Sequence, residues 1–144
     1  MISSVLRSSL AALACAAALV LASPSMAAMV NLKADLKASN EVPPNTSTAS
    51  GSLTATYDDA SKKLSWKGNL SGLSGPVTAA HFHAGDVGKN GTVVVPITGA
   101  DKGAFEGSAT LTDAQAAEMM AGKWYVNIHT AANKAGEIRG QLTK

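Results

Sequence analysis

Apolar residues follow two patterns along this chain. Leu10–Ala22 is a continuous apolar run without a charge. From Val30 onward apolar positions alternate with polar ones, the period of a strand with one face in a core and the other in water. Val30, Leu32, Ala34 and Leu36 alternate with Asn31, Lys33, Asp35 and Lys37, which predicts a first strand. Ser39–Asn45 contains Pro43 and Pro44, whose fixed backbone and missing donors keep a central strand from running through it. Leu53, Ala55 and Tyr57 alternate again, Asp58–Ser61 reads as a turn, and Leu64 and Trp66 open the return strand of a hairpin. Gly72, Gly75 and Pro76 punctuate the chain. Residues 77–83 form the next strand and Gly85–Gly91 a glycine-bearing loop. Thr92–Ile97 is a β-branched run around Pro96, and Ala104–Leu111 alternates weakly. One helix is expected over residues 113–121, capped by Thr112 or Asp113 and ended by Gly122. Trp124, Val126 and Ile128 then alternate with Tyr125, Asn127 and His129. A loop through Asn133 and Gly136 leads to the last strand, Glu137–Leu142. About eight strands spaced by roughly 8–12 residues predict an all-β domain, an antiparallel Greek-key sandwich or barrel with one short helix.

The first pattern has a different meaning. Arg7 is the only charge before Lys33, the apolar run follows it, Pro24 breaks the run, and Ser25 and Ala27 are small residues at the −3 and −1 positions of a cleavage site. Residues 1–27 therefore read as a cleavable secretory signal peptide. The run is too short and too rich in alanine for a spanning helix, which needs about 20 apolar residues. A lipoprotein signal would use Cys15, but Ala12 rather than leucine stands three residues before it. Cutting after Ala27 leaves residues 28–144, the size of one domain with one core. The sole cysteine leaves with the signal, so the mature chain holds no disulfide, thiolate metal site or thiol nucleophile. Its eleven Lys and Arg against ten Asp and Glu are dispersed without a basic stripe, which argues against nucleic acid as a partner. The expected location is the periplasm or the exterior, with no stable membrane insertion after cleavage.

Four segments, in order, carry a family resemblance: Asn40-Glu41-Val42-Pro43-Pro44, Ala80-His81-Phe82-His83-Ala84-Gly85, Tyr125-Val126-Asn127-Ile128-His129-Thr130-Ala131, and Gly136-Glu137-Ile138-Arg139-Gly140-Gln141. Over nearly its whole mature length the chain resembles the chordin-type (CHRD) domain. Phe82 stands where an aliphatic residue is common in that pattern, and Lys134 where a proline is common, which makes the last loop less rigid. The resemblance implies a β-sandwich in a secreted or periplasmic protein and no established biochemical activity. In animals such domains sit in a large extracellular regulator of growth factors, a role that a lone domain behind a signal peptide need not share. The short precursor without an appended domain points to a bacterial source.

All three histidines of the protein lie inside these segments. His81 and His83 are two apart on one expected strand, so they share a face with Cα atoms roughly 6.5–7 Å apart. His129 ends another expected strand. If the two strands are neighbours, three imidazoles converge, and neutral imidazole suits copper and zinc. The His-x-His followed by a glycine loop is also similar to the copper-binding strand of copper/zinc superoxide dismutases. That likeness is local: three histidines are too few for the full two-metal site, and a disulfide partner is missing. Against the metal reading, each histidine could instead hydrogen-bond a neighbouring loop and serve only the fold.

Three acidic residues are candidates for an extra ligand or for orienting a histidine. Glu137 shares a face with Arg139, and a cross-strand ion pair is the simpler expectation for them. Asp86, after the His-x-His, is an oxygen-ligand candidate with a plain turn alternative. Glu41 reaches the histidines only if its proline loop folds over the sheet end. Trp66, Trp124, Phe82 and Tyr57 are expected in the core, and Met119 and Met120 fill core space more simply than they bind copper(I). No serine–histidine–acid set, phosphate loop or paired-carboxylate motif can be singled out. Three functions are therefore expected, in this order. The first is a binding module holding copper or zinc through His81, His83 and His129. The second is a structural or protein-interaction domain with an extracellular or periplasmic protein partner and no metal. The third is a redox enzyme with a single copper; the leading expectation is that the protein is not an enzyme.

Overall fold

The computed structural model describes residues 28–144, so the expected signal peptide lies outside the described residues. Eight strands form one antiparallel sheet: β1 (Met29–Lys37), β2 (Ser50–Asp58), β3 (Lys63–Ser71), β4 (Val77–Ala84), β5 (Thr92–Pro96), β6 (Ala104–Thr110), β7 (Trp124–Thr130) and β8 (Ile138–Gln141). Their order across the sheet is β5-β4-β7-β8-β1-β2-β3-β6. The sheet curls into a nearly closed barrel of two halves, β5-β4-β7-β8 and β1-β2-β3-β6. β8 joins β1 through the single pair Lys37–Arg139, and the chain end adds a bridge from Thr143 to Lys33. The β3-to-β4, β5-to-β6 and β6-to-β7 connections each cross from one half to the other, as in a Greek key. A 3-10 turn at Ala38–Asn40 leads out of β1, and another at Ala100–Lys102 lies against β3, β4 and β6 and spans the gap between the edge strands. Among the described residues no helix is long and apolar enough to cross a membrane.

The alternation in the sequence sets which residues face inward. β1 buries Leu32, Ala34 and Leu36, β2 buries Leu53, Ala55 and Tyr57, and β3 buries Leu64 and Trp66. The opposite half contributes Ala80, Phe82, Val95, Trp124, Val126, Ile128 and Ile138. Phe82 and Trp66 meet edge-to-face with ring centroids 5.0 Å apart, which ties the two halves across the core. The β2–β3 hairpin turns at Asp58, whose carboxylate accepts from the Ala60 amide and the Ser61 hydroxyl. The helix, α1 (Asp113–Met120), carries a full capping box between Thr112 and Gln115 and buries Ala116 and Met119 in the core. Met119 thus fills space, as expected.

β7 departs from simple alternation. Trp124, Val126 and Ile128 face the core, yet Tyr125 and Asn127 on the other face are buried too. Segments far away in sequence cover that outer face: residues 38–48 after β1 and the 85–91 loop between β4 and β5. Asn90 Nδ2 donates to the Val42 carbonyl and joins these two coverings. The candidate residues lie under them.

Candidate metal centre

β4 and β7 are neighbours, and their register decides what meets on the covered face. His83 pairs with Tyr125, His81 with Asn127, and Ala79 with His129. The three histidines therefore project from the same side of two adjacent strands. Their rings pack mutually, with centroids 5.5 Å apart for His81–His83, 5.4 Å for His81–His129 and 6.2 Å for His83–His129. One ligand nitrogen from each lies within 4.8 Å of those of the other two.

Hydrogen bonding fixes which nitrogens are free. His83 Nδ1 is 3.0 Å from the Gly91 carbonyl, and His129 Nδ1 is 3.0 Å from the Lys134 carbonyl. A carbonyl only accepts, so both Nδ1 atoms carry a proton, and in the neutral form of each ring it is Nε2 that presents the lone pair. Those two Nε2 atoms, together with His81 Nδ1, are buried without a hydrogen-bond partner. Burial, then repulsion from His129 and His83, lowers the pKa of His81. Burial also lowers that of His83; its bond to Gly91 opposes the shift, and the charges of His129 and Arg139 add to it. The deprotonated rings are the form that ligates a metal.

The loop that holds His83 is itself clamped. Arg139, 2% exposed, donates from Nη2 to the carbonyls of Lys89 (2.6 Å) and Asp86 (3.3 Å), and from Nη1 to Asn90 Oδ1 (3.1 Å). The Tyr125 hydroxyl accepts from the Gly91 amide at 3.0 Å. Tyr125 stacks against His83, with centroids 4.9 Å apart and planes 11° apart, and the Arg139 guanidinium lies 3.4 Å from the centre of the same ring. Since β4 and β8 flank β7, Tyr125 sits between imidazole and guanidinium. Gly91 has no room for a side chain: a Cβ there would come within 1.6 Å of the Ala84 carbonyl oxygen.

The acidic candidates go elsewhere. Glu137 does not pair with Arg139, contrary to expectation, nor does it orient a histidine. It is fully buried just before β8, where its carboxylate accepts from the hydroxyls of Ser47, Ser74 and Thr130 and from the Ser74 amide. Burial would raise its pKa, but these four donors outweigh burial and hold it at about 2. Asp86 is exposed in its turn and contributes a backbone carbonyl to the Arg139 clamp. Glu41 does fold over the covered face, but its carboxylate accepts from Asn127 Nδ2 at 2.6 Å and does not join the histidine group. Burial pushes Glu41 up to about 7 against the opposing pull of Asn127 and Arg139. Gly136, at φ 138°, leaves the space in which the Glu41 and Asn127 side chains meet.

The Tyr125–Arg139 clamp and the Glu137 hub were not singled out from sequence as such. The only hint was that the residues cluster in the same four segments as the histidines. Those segments all fall within residues 32–142, which match the CHRD domain. The chain belongs to the CHRD domain family. The match takes in seven of the eight strands in full, all but the first residues of β1, and every residue of the centre. No curated protein and no solved structure matches the chain.

Proposed function

We propose that this CHRD domain is a non-catalytic binding module, acting in the periplasm or outside the cell, that holds one copper or zinc ion through His81, His83 and His129. The reading rests on one observation: three buried ring nitrogens converge without partners, two of them with their tautomer set by a backbone carbonyl. Buried polar atoms ordinarily find partners, and a metal ion would satisfy all three at once. Metal–imidazole bonds of about 2.0–2.1 Å and tetrahedral angles require nitrogens about 3.4 Å apart, so the rings must draw inward by roughly an ångström. The Gly91 and Lys134 carbonyls and the Tyr125 stack would serve as the outer partners that orient metal-bound histidines.

Purified mature protein, loaded with copper(II) or zinc(II) and desalted, is expected to retain one ion per chain, and His81→Ala with His83→Ala to retain none. Metal present at about a hundred times its dissociation constant should stabilise the fold by about 2.7 kcal/mol and raise the melting temperature by on the order of 10 °C. A second reading has its own support. His83 and His129 each tie a loop to the sheet through Nδ1, so the histidines could serve a structural or protein-interaction domain alone. Equal metal content in wild type and the double variant, with an unmoved melting curve, would favour that reading.

A further inference from the structure

We infer that the metal-loaded centre takes a small anion as its fourth ligand. This rests on the metal reading above and extends it from what the chain supplies to what the chain leaves out. Three neutral imidazoles leave a bound dication with its full double charge. No carboxylate or thiolate of the described residues joins the group of three. The nearby acids are committed: Glu41 to Asn127, Glu137 to four donors, and Asp86 to an exposed turn. A fixed charge close to the centre has the same sign as the metal, because the Arg139 guanidinium lies against the Tyr125 ring on which His83 stacks. Among the described residues that guanidinium hydrogen-bonds only carbonyls and the Asn90 amide oxygen and forms no ion pair; Glu41 feels its charge, but its carboxylate is bonded to Asn127.

A site with three protein nitrogens and one position left over is the open type of coordination, as opposed to the closed four-ligand type that only holds a fold together. The three histidines lie on the face of β4 and β7 away from the core, and His81 and His129 are only partly buried, so the centre sits on the solvent side of the sheet with its ligand nitrogens sheltered. On the β5 side, the residues paired with His81 and His83 are Pro96 and Val93, both exposed and neither able to ligate. Charge therefore favours an anion over water, and the aliphatic border supplies no competing donor. The ligand class is a small, Lewis-basic anion such as a halide, a pseudohalide or the carboxylate of a larger molecule.

Azide is the probe. Added to copper(II)-loaded mature protein, it should produce a new near-ultraviolet charge-transfer band that saturates at one azide per copper, together with a shift in the copper EPR parameters. His81→Ala and His129→Ala, which lack the centre, should show neither bound copper nor the band. Copper retained with an unchanged spectrum would overturn this inference and leave the metal reading standing. A band that persists in both variants would place azide on copper elsewhere and would also overturn it. Failure of the wild-type protein to retain copper would overturn both.

Discussion

His83 is constrained from three directions at once: a hydrogen bond to Gly91, a stack on Tyr125, and strand pairing to β7. Each constraint removes a rotamer or a tautomer, which is how a protein prepares a ligand before the ion arrives. Tyr125→Phe keeps the stack and deletes the hydroxyl that holds the Gly91 amide. We expect it to fold with a loss of about 1–2 kcal/mol, and to weaken metal binding about tenfold, measured by competition with a chromophoric chelator. Two buried acids set opposite slopes in the stability of the protein. Glu137 has its pKa depressed, so its contribution is full above its ordinary 4.5 and disappears as the pH falls through about 2. Glu41 has its pKa raised, so its contribution is full below 4.5 and disappears as the pH rises through about 7. Each span amounts to about 3 kcal/mol. Urea titrations between pH 4.5 and 8 should show wild type losing stability relative to Glu41→Gln; a flat difference would count against the raised pKa. From sequence, period two placed His81 and His83 on one face, because strand geometry dictates it. Which nitrogen of each ring stays free was not legible, since the deciding carbonyls belong to turns whose shape the pattern does not specify.

At the scale of elements, the outer face of β7 is dry only because the 38–48 and 85–91 segments lie across it. Arg139 and the Tyr125 hydroxyl fasten the second of these, and Asn90 couples it to the first. Gly91 is the tightest point, and Gly91→Ala is expected to lift the loop off the sheet. The cost should exceed about 2 kcal/mol in chemical denaturation, and the bond to His83 Nδ1 should be lost, with the ring signal of His83 in NMR becoming that of a mobile imidazole. A variant as stable as wild type would show that the loop can yield. The start of α1 was readable, since Thr112 and Asp113 are local cap signals; the structure selects Thr112 and adds Gln115 as the other half of a capping box. The double burial of β7 was not: Trp124, Val126 and Ile128 announce a half-buried strand, and nothing within β7 announces that Glu41, 86 residues from Asn127, will close over the other side.

For the whole molecule, one strand serves both core and centre. In β4, Phe82 points inward to Trp66 and Trp124 while His81 and His83 on either side point outward. Phe82→Ala should cost about 3–5 kcal/mol, measured by urea unfolding. It should also weaken metal binding by more than Leu64→Ala, a core truncation in the other half, when both are compared in calorimetric titrations. Equal weakening would mean that the halves report on each other through general stability alone. The strand count and class were legible because each strand carries its own alternation. The order across the sheet was not, because the connections between halves leave no periodic trace; the convergence of the histidines stayed conditional on β4 and β7 being neighbours, which only the folded sheet decides.

The barrel does not close by strand pairing, and its two edge strands, with the Ala100–Lys102 turn between them, differ. β5 is only five residues long, bulges at Val94 and ends at Pro96, which has no donor to offer a neighbour. β6 runs seven residues without proline, paired to β3 on one side only. Of the two, the β6 rim offers the longer unbroken row of backbone donors and acceptors, so it is the edge expected to pair with a second strand if molecules associate side by side. A single proline there, on the side away from β3, is the change that would keep the protein dispersed.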